Sequence, residues 1–244
     1  LKKSERRCLK MADPCVIVTG ASKGIGAAIA IELDKRGLPV IGLSRAGDTV
    51  VGNAFVCDMT NEDQVRKRIG AIGAERGIAA LVNNAGLYIG SPIAELSTDQ
   101  YEQVMNLNAK AVMIASREAY PHLRDSGGTI VNIGSFFDKM GVPHNLPYCA
   151  SKAAVAAMTR CMAVEWARDG IGVINVAPGY IETDLNADYL GRQKVQHWLA
   201  GRVPTGGPGK PDDVARLVAA LICEDIPFLT GETIYIDGGQ GMNH

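Results

Sequence analysis

Residues 15–33 read CVIVTGASKGIGAAIAIEL, and this stretch decides the fold. Cys15 to Thr19 is a short apolar run rich in β-branched residues and reads as a strand. From Gly24 to Arg36 the residues Ile25, Ala28, Ile29 and Leu33 share one helical face, so a helix follows. Between the two lies Thr19-Gly20-Ala21-Ser22-Lys23-Gly24-Ile25-Gly26. Its glycines let the backbone turn tightly and approach a ligand closely. The start of the helix offers free N–H groups and a partial positive charge, the combination that holds a pyrophosphate. The spacing is G-x-x-x-G-x-G, so the place between a strand and a helix carries the reading more than the glycines do.

The same alternation continues to the C-terminus. Strands are expected at Val40–Leu43, Ala54–Cys57, Ala80–Val82, Thr129–Ile133, Gly172–Val176 and Ile234–Asp237. Helices are expected from an Asn61 N-cap through Arg76, at Thr98–Leu123, at Tyr148–Arg168 and at Pro211–Cys223, where Asp212 and Asp213 suit the first turn. Strands alternating with helices predict an α/β protein with a parallel seven-stranded, doubly wound Rossmann sheet and helices on both faces. No linker or composition shift divides it, so one dinucleotide-binding and catalytic domain is expected over 12–244. Residues 1–11 are basic and polar without an apolar signal core, and are expected to form a disordered extension ahead of a start at Met11. The polar stretch Asp184–Gly209 is the least regular, and its length suits a lid or binding loop.

Composition excludes several classes. The chain has 25 Lys+Arg and 26 Asp+Glu, a formal charge of −1 with no net attraction to nucleic acid or an anionic membrane. With 47% hydrophobic and 21% charged residues it is not a disordered polymer. No apolar run approaches the roughly 20 residues of a membrane helix. The six cysteines form no C-x-x-C pair and no zinc pattern, so no metal is expected, and reduced thiols point to a cytoplasmic setting.

At the end of the second strand an NAD-selecting fold carries an acidic residue for the ribose hydroxyls. Here the pair is Ser44-Arg45. No carboxylate at that place repels a 2′-phosphate, Arg45 can pair with one, and Lys23 can add a second cation. NADP(H) is therefore expected in preference to NAD(H).

Tyr148-Cys149-Ala150-Ser151-Lys152 opens a helix and sets a phenol and an ammonium on one face. A cation about 5 Å away at an effective dielectric of about 20 stabilises a phenolate by roughly 3 kcal/mol, or about two pKa units. Such a tyrosine can exchange a proton with an alcohol or a carbonyl. Ser135 stands just past the fifth strand, where parallel sheets bind ligands, and can hydrogen-bond the substrate oxygen. Asn108, inside the long helix, suits a local bend and a water relay to Lys152, with Asn106 as the nearby competitor.

Taken together these motifs resemble the short-chain dehydrogenase/reductase family, in its branch of about 250 residues, from Val16 to Gly239. The family's T-G-x-x-x-G-x-G corresponds to Thr19–Gly26, with Gly20, Ser22, Lys23, Gly24, Ile25 and Gly26 at the cofactor. The resemblance places Asp58 and Met59 at the adenine and Asn84, Ala85 and Gly86 against the cofactor. It makes Asn108, Ser135, Tyr148 and Lys152 the catalytic residues, with Tyr148 and Lys152 also at the nicotinamide ribose. In its P-G segment, Pro178, Gly179, Ile181 and Thr183 hold the nicotinamide end, followed by Asp184. It also implies hydride transfer between the nicotinamide and a secondary alcohol or ketone, and a homotetramer or homodimer paired through long helices, with Ala153, Ala154, Ala156 and Ala157 allowing close approach.

Three departures stand out. The family's Asn four residues before the Pro is Ile174 here, and Asn175 is one place late, so no role passes to either. The NAD-selecting Asp is absent. Bacterial ketoacyl-carrier-protein reductases resemble the chain around Gly179–Asp184, but their docking arginines fall on Ser126 and Asp169, with Arg124 and Arg168 out of register. A 3-ketoacyl-ACP or -CoA reductase is therefore the alternative, followed by a non-catalytic nucleotide-sensing scaffold or a nucleotide-sugar epimerase. For the small-molecule substrate, Phe136, Phe137, Asp138, Lys139, His144, Asn145, Tyr189, His197 and Trp198 are pocket candidates. Their mix of polar and aromatic groups fits a polyol, sugar acid or small ketone as well as an acyl chain.

Overall fold

The computed structural model describes residues 14–124, 126–183, 186–224 and 226–242. The expected extension at 1–11 and Asp184 lie outside these, as does the side chain of Tyr189.

Seven strands pair in parallel: β1 (Cys15–Thr19), β2 (Val40–Ser44), β3 (Asn53–Val56), β4 (Ile78–Asn83), β5 (Gly128–Ile133), β6 (Ile171–Pro178) and β7 (Thr233–Ile236). Their order is β3-β2-β1-β4-β5-β6-β7, which reverses direction between β1 and β4 and opens a crevice at the carboxyl ends there.

Side chains alternate across the sheet, as the pleat requires. Ile17, Leu81 and Ile130 face α2 (Glu62–Arg76), α4 (Ala111–Arg124) and α5 (Leu146–Trp166), burying Val65, Ile69, Ile114 and Leu123. Val16, Val18, Val82 and Val131 face α1 (Gly24–Lys35) and α8 (Pro211–Cys223), burying Ile29, Leu33, Val214 and Val218. Each such side chain contributes about 1.5–3 kcal/mol of burial, which drives the helices onto the sheet. Asn61 caps α2 as expected, accepting from the Gln64 N–H at 3.1 Å.

Three elements differ from the sequence reading. The long helix at 98–123 is α3 (Thr98–Met105) and α4 joined by a π turn at Asn106–Lys110, where the Ala111 N–H donates to the Asn106 carbonyl. The helix expected from Tyr148 starts earlier, because Pro147 suits its first turn, and it ends at Trp166. The stretch expected to be irregular carries two helices, α6 (Ala187–Leu190) and α7 (Gln193–Arg202). α7 buries Leu199 and, just past its end, Val203 against Leu190 and Tyr180, while the rest of it is polar, which hides its period.

Between β2 and β3 the chain crosses back in residues 45–52 without a helix. Parallel crossovers usually take a dozen or more residues. Gly47 (φ 73°) and Gly52 (φ 69°) turn this one. The face beside it is thinly covered, and Val50 and Val56 are 48% and 57% exposed.

Candidate active site

The glycine turn is tied to the end of β4. The Thr19 hydroxyl accepts from the backbone N–H groups of Asn84 and Ala85, both at 3.0 Å. The Asn84 amide donates to the carbonyls of Thr19 (2.9 Å) and Gly20 (3.1 Å). A Cβ on Gly26 would strike the Gly20 carbonyl and the Asn84 amide, so only glycine fits. Lys23 stands at the N-cap of α1 with an exposed side chain that makes no capping hydrogen bond to the N–H groups of the first turn. These donors, beside half-buried Ser22 and Ile25, form a cradle that fits a pyrophosphate. Across the crevice, Thr183 approaches Gly24, its Cγ2 3.6 Å from where a Cβ would stand. The Gly179 N–H donates to Ile236 (2.9 Å), Ile181 is buried, and the Thr183 N–H donates to Asn186 (2.7 Å), which fixes the segment beyond Pro178.

At the end of β2 the Ser44 hydroxyl donates to the Asp48 carboxylate at 2.7 Å and accepts from the N–H groups of Gly47 (2.9 Å) and Asp48 (3.1 Å). Arg45 is exposed beside this turn. The sequence reading missed Asp48, whose signal is a glycine that folds the chain back on Ser44. Asp58 accepts from the Thr60 N–H (2.9 Å) and hydroxyl (2.8 Å). The Met59 side chain belongs to the core.

At the carboxyl end of β5 the hydroxyls of Ser135 and Tyr148 hydrogen-bond each other. Ser135 also accepts from the Phe137 N–H at 3.2 Å. One helical turn after Tyr148, the buried Lys152 ammonium donates to the Ile133 carbonyl at 2.7 Å and lies 5.6 Å from the Tyr148 ring centroid. Burial pushes the Lys152 pKa down to about 8. Burial also raises the Tyr148 phenol above its ordinary value, and the Ser135 hydrogen bond lowers it only in part. The depression expected from Lys152 is not what governs the phenol here: burial raises it and favours the neutral form.

Asn108 sits on the π turn, fully buried, whereas Asn106 is exposed. Its carbonyl oxygen accepts from the Leu87 N–H (2.8 Å), and its amide donates to the Leu87 carbonyl (2.9 Å) and the Ser151 hydroxyl (3.2 Å). It joins the β4 loop, the π turn and α5, and its side chain bonds Ser151 instead of reaching Lys152 directly. Gly86 packs against it, 3.3 Å from a Cβ position to the Asn108 oxygen.

Other candidates are dispersed. Asp138 accepts from the Tyr235 hydroxyl at 2.9 Å and the Lys139 ammonium lies 3.6 Å from the Tyr235 ring, so both engage β7. His144 (φ 65°) and His197 are exposed. Asn145 is buried, and its amide donates to the Pro143 carbonyl at 2.7 Å. Ile174 packs toward α1 and α8, while Asn175 points to the opposite face. There Asn175 donates to Thr233 (3.1 Å) and fills the space behind Gly134, where a Cβ would lie 2.5 Å from its oxygen.

The family described as enoyl-(acyl carrier protein) reductase, a branch of the short-chain dehydrogenases/reductases, matches residues 20–241. The chain belongs to the short-chain dehydrogenase/reductase family. It is therefore an NAD(P)-dependent oxidoreductase of the CH–OH/C=O type. This short-chain dehydrogenase/reductase is 33% identical to a glucose 1-dehydrogenase of Gluconobacter oxydans, over 94% of its own length and 92% of that protein. It is 33% identical to a 3-oxoacyl-[acyl-carrier-protein] reductase of Rickettsia bellii, over 96% and 99% respectively. A gluconate 5-dehydrogenase of Burkholderia cenocepacia, solved with NADP and tartrate, superposes with a TM-score of 0.88 at 29% identity, covering 96% of this chain and 97% of that one. Among the described residues no helix is long and apolar enough to cross a membrane, and no group of three His, Cys, Asp or Glu could hold a metal ion.

Proposed function

We propose that the protein is an NADP(H)-preferring reductase and dehydrogenase of ketones and secondary alcohols, with Tyr148 as the proton donor and acceptor. One observation carries this reading: the Tyr148 phenol, bonded to Ser135 and backed by Lys152, stands at the same carboxyl edge of the sheet as the glycine cradle. A bound nicotinamide dinucleotide supplies the hydride. Gly20, Ser22, Lys23, Gly24, Ile25 and Gly26 would hold its pyrophosphate, Asp58 and Met59 its adenine, Asn84, Ala85 and Gly86 its middle, and Pro178, Gly179, Ile181 and Thr183 its carboxamide end. Ser135 orients the carbonyl oxygen, Tyr148 donates the proton to it, and Lys152 stabilises the phenolate left behind. Asn108 positions α5 through Ser151. A protonated phenol favours the reducing direction at neutral pH, while alcohol oxidation needs the phenolate and rises with pH.

NADP(H) over NAD(H) rests on exposed Arg45 and Lys23, with Asp48 drawn onto Ser44. Arg45→Asp is expected to shift the ratio of kcat/KM for NADPH and NADH by about a hundredfold toward NADH, through loss of a charge-assisted bond and added repulsion. An unchanged ratio removes Arg45 as the selector.

The ketoacyl reductase alternative has support from the Rickettsia relative, but Asp169 presents a carboxylate that accepts from the Tyr120 hydroxyl at 3.0 Å. A homotetramer, or a homodimer, is proposed through the outer face of α5, where Ala153 and Cys161 are exposed and Val164 is 83% exposed. Cys15, Cys57, Cys149, Cys161 and Cys223 are free thiols, which supports a cytoplasmic location.

A further inference from the structure

Of four Phe, seven Tyr and two Trp, six gather in one continuous cluster at the candidate site. Tyr148 meets Tyr88 edge-on at 5.7 Å and Phe137 at 6.1 Å between ring centroids. Phe137 meets Phe136 at 4.6 Å and Tyr180 at 6.2 Å, and Tyr180 meets Trp198 at 5.6 Å. The rings come from the loops after β4, β5 and β6, from the first turn of α5 and from α7, so the connections that follow three neighbouring strands converge on the proposed proton donor. The outer members keep large exposed faces, 59% for Tyr88 and 44% for Trp198. Exposed apolar surface leading to a reactive group marks a binding cleft.

Lys152 stands beside Tyr148 (5.6 Å) and Arg202 beside Trp198 (5.7 Å). Of the polar candidates beside these rings, Asp138 and Lys139 are turned to Tyr235. A polyhydroxylated substrate would have to strip water from its hydroxyls against ring carbon, which is unfavourable without replacement hydrogen bonds. A flat apolar ring system would stack on these faces and edges.

We infer that the substrate is a ketone, or the matching secondary alcohol, carried on a rigid apolar ring system of two or more fused rings. The carbonyl reaches Ser135 and Tyr148, and the ring system lies along Phe137, Tyr180 and Trp198, with Tyr88 opposite. This rests on the hydride-transfer reading above and deepens it by naming the substrate class. Reduction is balanced by one hydride from the reduced nicotinamide to the carbonyl carbon and one proton from Tyr148 to the oxygen.

The test is a panel of 1-tetralone, trans-1-decalone, 2,3-butanedione and 5-ketogluconate with NADPH, for the full chain and for Trp198→Ala. The expected result is a kcat/KM for the bicyclic ketones about a hundredfold above that for 5-ketogluconate. Trp198→Ala is expected to raise the ratio of KM for 1-tetralone to KM for 2,3-butanedione about tenfold, the loss of one stacked ring. A preference for 5-ketogluconate, or an unmoved KM ratio, overturns the ring-system inference and leaves hydride transfer standing. If no ketone is reduced although NADPH binds, the hydride-transfer reading fails, and calorimetry decides the cleft separately. Saturable binding of 1-tetralone to the NADP-loaded protein, weakened by Trp198→Ala, keeps the aromatic site, and its absence removes it.

Discussion

Tyr148→Phe is expected to bind NADPH about as tightly as the unaltered protein and to turn over substrate about 10²–10⁴ times more slowly. The substitution removes one oxygen and keeps the ring, so the contacts with Tyr88 and Phe137 and the packing of α5 persist. What goes is the hydroxyl bonded to Ser135, the proposed acid group at the carboxyl end of β5. Fluorescence titration with NADPH and steady-state rates on one ketone check both halves. Near-normal turnover would return the chain to the non-catalytic scaffold reading.

Lys152→Met is expected to abolish most turnover and yet make the protein more stable, by about 2 kcal/mol at pH 7. Lys152 is 5% exposed, its ammonium donates to the Ile133 carbonyl, and burial has moved its pKa from 10.5 to about 8. That shift corresponds to about 3 kcal/mol, offset by about 1 kcal/mol when the Ile133 carbonyl loses its donor. The sign follows from proton counting. Below pH 8 the lysine is charged in both native and unfolded chains, and the native state bears the full desolvation penalty. Between about pH 8 and 10.5 the native chain releases the proton first, so the unaltered protein gains stability as pH rises. The advantage of Lys152→Met should therefore be largest below pH 8 and fade toward 10.5. Paired denaturation curves from pH 7 to 10.5 measure it, and an advantage independent of pH would show that the buried charge is not its source.

Much of the architecture was legible because its signals are local. β1, the glycine turn and α1 announce themselves through β-branched residues, glycines and a helical apolar face. The ends of α2 and α8 follow from Asn61 and from Pro211 with its two aspartates. The candidate site residues stand out only as an ordered set, since Tyr148 and Lys152 alone are one helical turn among many. What escaped is what depends on distant partners. The π turn arises because Asn108 bonds Leu87 and Ser151, neither of which is near it in sequence. α7 folds on Tyr180 through a single buried leucine. The upward shift of Tyr148 escaped because its cause is burial, which is invisible in a five-residue motif. The contacts of Asp138 and Lys139 with Tyr235 on β7 escaped too, because the partner is about a hundred residues away in sequence.

The helix-free crossing between β2 and β3 divides the molecule into a firm half and a soft one. β3 is a strand of four residues with one neighbour, and few buried side chains anchor it. Local opening is easiest where buried contacts are fewest. Ser135, Tyr148 and Lys152 stand four strands away, between β5 and α5, where Ser135 and Lys152 are buried. Arg45 and Asp58 border the loose margin instead. The two ends of a bound dinucleotide would thus experience different mechanics: the adenosine could come and go by fraying of one border strand, with the reacting groups never losing their alignment.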